Sequence, residues 1–236
     1  MIDPVWALAD QAPPLVAADV VFKEPVGSLP GLYPFEAARN GLGGQGVVAC
    51  TIRSDGAITA CRTRSETPIG SFFGLASEAM GQRLRVATRG AAGESVVGRQ
   101  IVLSFGFRSE NGASTVALQT ASTLASLPDP SDRKLLPVSS DDVKWVRPID
   151  GRKVEALYPQ GARQRGVSGF GLTSCEVADD GLLFDCRPVA AYPAGFGFDG
   201  AAAVAMTASK AKIGSVTTTG EATAHRRIGL LVIFKS

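Results

Sequence analysis

Histidine is nearly absent: a chain of 236 residues holds one, His225. A single imidazole excludes histidine-rich metal centres, and it stands beside Arg226 and Arg227 with no cysteine at metal-ligand spacing. It reads as a surface residue rather than a catalyst. Long apolar runs are missing as well; none reaches the roughly eighteen residues that would mark a membrane-spanning helix. Charge of one sign is not in excess: 24 Lys and Arg against 22 Asp and Glu leave a net +2. That argues against nucleic acid or an anionic membrane surface as the main partner. With 45% hydrophobic and 19% charged residues, the balance is that of a globular chain forming one large or two small domains.

Cysteine is scarce, and its four positions are patterned. "CTIRSDGAITAC" runs from Cys50 to Cys61 and "CEVADDGLLFDC" from Cys175 to Cys186, both with Asp-Gly at the centre. No Cys-x-x-Cys occurs, which excludes a thioredoxin-type dithiol, and the spacing is wrong for structural zinc. Asp-Gly between alternating residues predicts a hairpin with a two-residue type I′ turn. With Asp55-Gly56 and Asp180-Gly181 at the turns, Cys50 faces Cys61 and Cys175 faces Cys186. Facing Cβ atoms lie within about 5.5 Å, close to bridging distance, so two cross-strand disulfides are expected, with reduced buried pairs as the alternative. Disulfides imply an oxidising compartment outside the cytosol. An exported protein carries a leader, yet Ala7-Leu8-Ala9 is preceded by no charged and apolar segment, so a trimmed native leader or anchor is expected.

The hairpins sit inside a longer repeat. Offset by 125, Tyr33-Pro34 falls on Tyr158-Pro159, Gly46 on Gly171, Arg62 on Arg187, Pro68 on Pro193 and Phe73 on Phe198. Fifteen of the 44 pairs from Tyr33 to Ala76 are identical, where unrelated sequences would give about three. The chain is a tandem duplication. In each copy, Tyr-Pro opens a short helix, two strands flank the Asp-Gly turn, a longer helix follows (Ser71–Leu84; Gly197–Ile213), and a strand closes the unit. The predicted class is α+β: two tandem αββαβ modules, each a three-stranded antiparallel sheet with helices on one face. Residues 1–30 read as extended or partly ordered, 31–108 and 151–236 as the two domains, and 109–150 as a linker containing a short helix or strand. Alternation puts Val48, Cys50, Ile52, Thr59 and Cys61 on one side of the first hairpin. Val177, Leu182, Phe184 and both cysteines share one side of the second, and the opposite sides are expected to face water.

Other motifs carry little chemistry. "GLGGQG" (Gly41–Gly46) and "GFGFDG" (Gly195–Gly200) fit Gly-x-Gly-x-x-Gly, but neither lies in a βαβ unit, so dinucleotide binding is not expected. "SDRK" (Ser131–Lys134) lacks the companion motifs of a serine acyl enzyme. The adjacent carboxylates Asp141-Asp142 and Asp179-Asp180 lack the ligand series of a calcium loop. Arg62 and Arg187, the shared charge, are expected to pair with nearby carboxylates on the wet sheet face, with contact to a partner as the alternative. No cofactor, metal or enzymatic activity is predicted.

Tyr-Pro before a small-residue helix, Gly-x-x-Gly, a strand, an Asp-Gly turn, Pro and Phe before a helix, and a terminal strand ending in Phe resemble the TonB C-terminal domain family. The resemblance covers Tyr33–Arg108 and Tyr158–Lys235. It implies a non-enzymatic periplasmic protein of a Gram-negative envelope, taking part in energy transduction for TonB-dependent transport. Such a protein would bind an extended segment of an outer-membrane receptor, or of another envelope protein, by adding it beside its last strand. The matching edges are Ile101, Leu103, Phe105 and Phe107 in the first copy, and Ile228, Leu230, Val232 and Phe234 in the second. Exposed apolar edges invite association, so a partner, the other repeat or the intervening segment should cover them. The chain departs from the family in its duplication and in carrying no anchor or Pro-rich spacer. The alternative is a structural envelope module whose two repeats pair with each other and contact cell wall or another envelope protein.

Overall fold

The computed structural model describes residues 13–24, 32–110, 113–119 and 136–235. The motifs at Ala7–Ala9 and Ser131–Lys134, with much of the expected linker, lie outside them. The first unit runs β1 (Leu15–Val16), α1 (Phe35–Arg39), β2 (Gly44–Ile52), β3 (Ile58–Thr67), α2 (Phe73–Gly81), β4 (Gln100–Glu110) and β5 (Ala113–Gln119). The second runs β6 (Val138–Ser139), β7 (Val143–Arg147), α3 (Gly151–Ala156), α4 (Gln160–Gln164), β8 (Gly169–Val177), β9 (Leu183–Tyr192), α5 (Phe198–Ser209), β10 (Lys212–Thr217) and β11 (Arg227–Phe234).

The fold mixes helices and antiparallel sheet, but it is not two αββαβ modules with three-stranded sheets. The antiparallel triplets β3-β2-β4 and β9-β8-β11 are present, and each is extended at its last strand. β1 joins β4 in parallel at Ile101 and Val102, and β6 joins β11 in parallel at Ile228 and Gly229. β5 adds antiparallel to β4 from Ser104 to Glu110, and β7 pairs with β10 in a separate ribbon. The stretch 109–150, expected to contain a short helix or strand, holds β5, β6 and β7 among its described residues.

Both predicted disulfides form, Cys50–Cys61 and Cys175–Cys186, but not through the predicted turn. Arg53 pairs with Ala57 across Ser54, Asp55 and Gly56, and only Gly56 of the three has positive φ (80°). This is a three-residue turn with glycine in the left-handed region. Asp55 accepts a hydrogen bond from the Ala57 amide at 3.0 Å, and Asp180 one from Leu182 at 2.9 Å. Those bonds hold both carboxyls below the usual carboxylate range. The longer turn slips the register by one, pairing Ile52 with Ile58 and Val177 with Leu183. A bulge at Ala60 or Asp185, each with positive φ (51° and 43°), slips it back. The cysteines then meet as expected. Because the bulge breaks the alternation, Ile58 and Leu183 are the buried residues, while Thr59 and Phe184 lie on the opposite side, contrary to expectation.

The repeated Tyr-Pro has a clear job. Tyr33 Oη donates to the Leu42 carbonyl and Tyr158 Oη to the Val167 carbonyl, tying each short helix to the loop behind it. Their rings meet Phe73 and Phe107, or Phe198 and Phe234, edge-on. Glycine is required where the helices lie close on the sheets: a Cβ on Gly46 would strike the Phe73 carbonyl, and one on Gly171 the Phe198 carbonyl.

At the end of the strands away from the hairpin, the second sheet does not face water on its other side. Along β8, Gly169 and Gly171 face α5, whereas Phe170 and Leu172 join Val189 and Ala190 in the first unit's core. Leu75 of α2 presses on Gly229 of β11, and the Arg83 guanidinium lies 4.7 Å from the Phe170 ring centroid and 5.1 Å from that of Tyr192. The molecule thus stacks first sheet, α2, second sheet, α5, and every residue of α2 is buried. Glu66 caps this helix, accepting from the Gly70 and Gly74 amides at 2.8 and 2.9 Å. Glu78, on the same helix, accepts from both the amide and the hydroxyl of Thr63. Burial pushes its carboxyl up to about 7. Arg187 pairs with Asp185 on its own hairpin at 2.9 Å, as expected, whereas Arg62 spans the units to reach Asp142 at 2.5 Å.

Candidate peptide-binding edge

The eight residues predicted along the last strands are all core. Ile101, Leu103, Phe105 and Phe107 fill the first core, and Ile228, Leu230, Val232 and Phe234 the second. Their side chains cannot greet a partner directly; what a strand offers at its edge is backbone, with alternate side chains on both faces. The residues between them matter too, and in the second unit these include Leu231 and Ile233.

The two edges are in different states. In the first unit the outer side of β4 is used by β1 at one end and β5 at the other, so the intervening segment covers it. Val116 and Leu118 of β5 stand opposite Phe107 and Phe105 and pack against the first core. On the other face, Gln119 receives a hydrogen bond from Gln45 at 2.7 Å and one from the Ser104 hydroxyl at 3.0 Å. In the second unit β6 pairs with Ile228 and Gly229, and among the described residues no strand continues along Leu230–Phe234.

A groove of about 460 Å³ runs beside that open stretch. Leu231 to Lys235 form one wall, while Ile149, Gly151, Val154, Glu155 and Tyr158 form the other, placed there by α3. α3 starts where Asp150 accepts a hydrogen bond from the Arg152 amide, and the Lys153 ammonium donates to the Ala208 carbonyl, fastening it to α5. Ile233 is 57% exposed, unusual for a large aliphatic residue in a strand. The surface is apolar along its length, with Lys235 and Glu155 as its charged members. Ile233 falls within the expected edge Ile228–Phe234, but sequence reasoning missed α3, for which the apolar pair Ile149 and Val154 just before Tyr158 was the available signal.

The remaining candidates do not converge on a site. His225 is exposed and lies 2.9 Å from Asp179. Among the described residues no group of three or more His, Cys, Asp and Glu is placed to hold a metal ion. Nor is any described helix long and apolar enough to cross a membrane. A scan against protein-family models finds no match, and a comparison with curated proteins finds none either.

Proposed function

We propose that the chain is a non-enzymatic, protein-binding module of the cell envelope that captures an extended peptide segment by strand addition along Leu230–Phe234 of β11. The observation that carries the reading is the contrast between the edges: one has a strand of its own chain added to it, and the other has none among the described residues, beside an apolar groove. Backbone hydrogen bonds would supply affinity and the groove side-chain choice. The resemblance to TonB C-terminal domains supports the same edge, and with it a periplasmic setting and an outer-membrane receptor as partner in TonB-dependent transport. Two disulfides fit an oxidising compartment.

The structural alternative draws on the first edge, which β5 already closes. It requires the second to be closed too. The deciding experiment titrates overlapping peptides from the periplasm-facing segments of outer-membrane receptors into the ¹⁵N-labelled chain. Amide shifts should gather at Leu230–Lys235 and α3, and Ile233→Lys should abolish them. Saturating peptide that leaves β11 unshifted would dismiss the binding role.

A further inference from the structure

The first unit shows what a strand on this edge looks like. The pairings of β2 with β4 and of β8 with β11 superpose when Phe105 is matched to Val232 and Phe107 to Phe234, because Gly46 faces Phe105 as Gly171 faces Val232. In that register β5 is a template for a strand added along Leu230–Phe234. Val116 would stand opposite Phe234, Ala117 opposite Ile233, Leu118 opposite Val232, and Gln119 opposite Leu231; Thr115 would meet Lys235.

The template needs altering where the two units differ. Gln119 is held in the first unit by Gln45 and Ser104. Their counterparts in the second are Phe170 and Leu231, which offer no polar partner. A glutamine there would be desolvated without compensation, whereas an aliphatic side chain would extend the apolar surface of Leu231 and Ile233. Gln119 lies over Gly106, which Ile233 replaces, so the residue opposite Leu231 must share its face with Ile233, and the template's small residue, Ala117, is kept opposite Ile233 to leave room for both. Arg108 is replaced by Lys235, and a carboxylate directly opposite would be favoured.

Resting on strand addition at β11, we infer that this edge selects a peptide running antiparallel to the strand, with aliphatic residues opposite Phe234 and Val232, a small residue between them, a further aliphatic residue opposite Leu231 and an acidic residue opposite Lys235. The pattern is acidic–aliphatic–small–aliphatic–aliphatic, read from the peptide's N-terminus. It describes a short apolar segment led by a carboxylate.

The test uses capped synthetic peptides and the ¹⁵N-labelled full chain. One peptide copies Ala113–Gln119, a second carries Gln119→Leu, a third carries Thr115→Glu and Gln119→Leu, and a fourth is the third reversed. The Gln119→Leu change should tighten binding at Leu230–Lys235 about tenfold, the effect of burying one more apolar side chain. The third peptide should bind more tightly again, with its advantage fading as salt rises. A nitroxide on its N-terminus should broaden Lys235 rather than Leu230. If the reversed peptide binds equally well, or the nitroxide broadens Leu230, the selection rule is wrong although the edge still binds. If none of the four shifts the edge while receptor-derived peptides do, the rule again fails alone. If no peptide of either set shifts it, strand addition itself is refuted.

Discussion

Glu78 shows how one side chain can carry a pH response for the molecule. Its carboxyl titrates near 7 in the folded chain because burial penalises the anion more than Thr63 and Arg62 favour it. The folded value lies above the unfolded one, so its stabilising contribution is complete below the unfolded value and lost as pH climbs through about 7. The full swing is roughly 3 kcal/mol. Glu66 is raised in the same direction by burial, despite the amides of the α2 cap. Glu78→Gln keeps an oxygen for Thr63 and removes the titration. Its melting temperature should exceed that of the wild type at pH 8 and approach it at pH 5; parallel profiles for the two proteins would contradict the assignment. Nothing in the sequence marked Glu78, since a glutamate in a short helix ordinarily faces solvent.

At the scale of elements, the hairpins were legible and their turns were not. Cysteine spacing is a covalent constraint and survives local irregularity, so the pairing was predicted correctly from a turn that does not form. The three-residue turn and the bulge at Ala60 or Asp185 cancel in register, and alternation alone cannot see two compensating slips. Each bridge closes a short ribbon against its helix, with Gly81 of α2 next to both sulfurs of the first. Replacing Cys50 and Cys61 together by serine should cost about 2–3 kcal/mol, read as a lower urea midpoint. An unchanged midpoint would mean the ribbon is held by packing alone. β1 and β6 escaped notice because they are two residues long and their repeat runs at a different offset, 123 instead of 125. Pro14, Asp19 and Val20 then meet Pro137, Asp142 and Val143, a match visible only after allowing the two-residue slip. β5 was expected only as a short helix or strand within the linker, because "ASTVALQ" is mostly exposed and carries only a faint strand pattern.

For the whole molecule, duplication was readable and stacking was not. The second sheet's far face mixes Phe170 and Leu172 with Glu176 and Arg187, and the charged members suggested water. The apolar members occupy the end of the strand that meets α2, whereas the charges gather near the hairpin, around Asp185 and Arg227. Leu75 tests the stack. It is 3% exposed and bears on Gly229 of the other unit, so Leu75→Ala should destabilise the protein by about 2–5 kcal/mol. Amide exchange should quicken in β11 as well as in α2 if the halves open together; faster exchange confined to the first unit would show that they are mechanically separate.

A helix with no wet side has an implication for how the gene can be cut. Severing the chain at its obvious seam would leave the amino-terminal half with a raw oily flank, Leu75 and its neighbours, that no later residue arrives to shelter. Such a fragment should clump or melt, and the carboxy-terminal piece, although it keeps α5 and its ribbon of β7 and β10, would bare Phe170, Leu172, Val189 and Ala190 in turn. The duplicated halves look like siblings in sequence, yet each leans on the other for the cover of one oily flank.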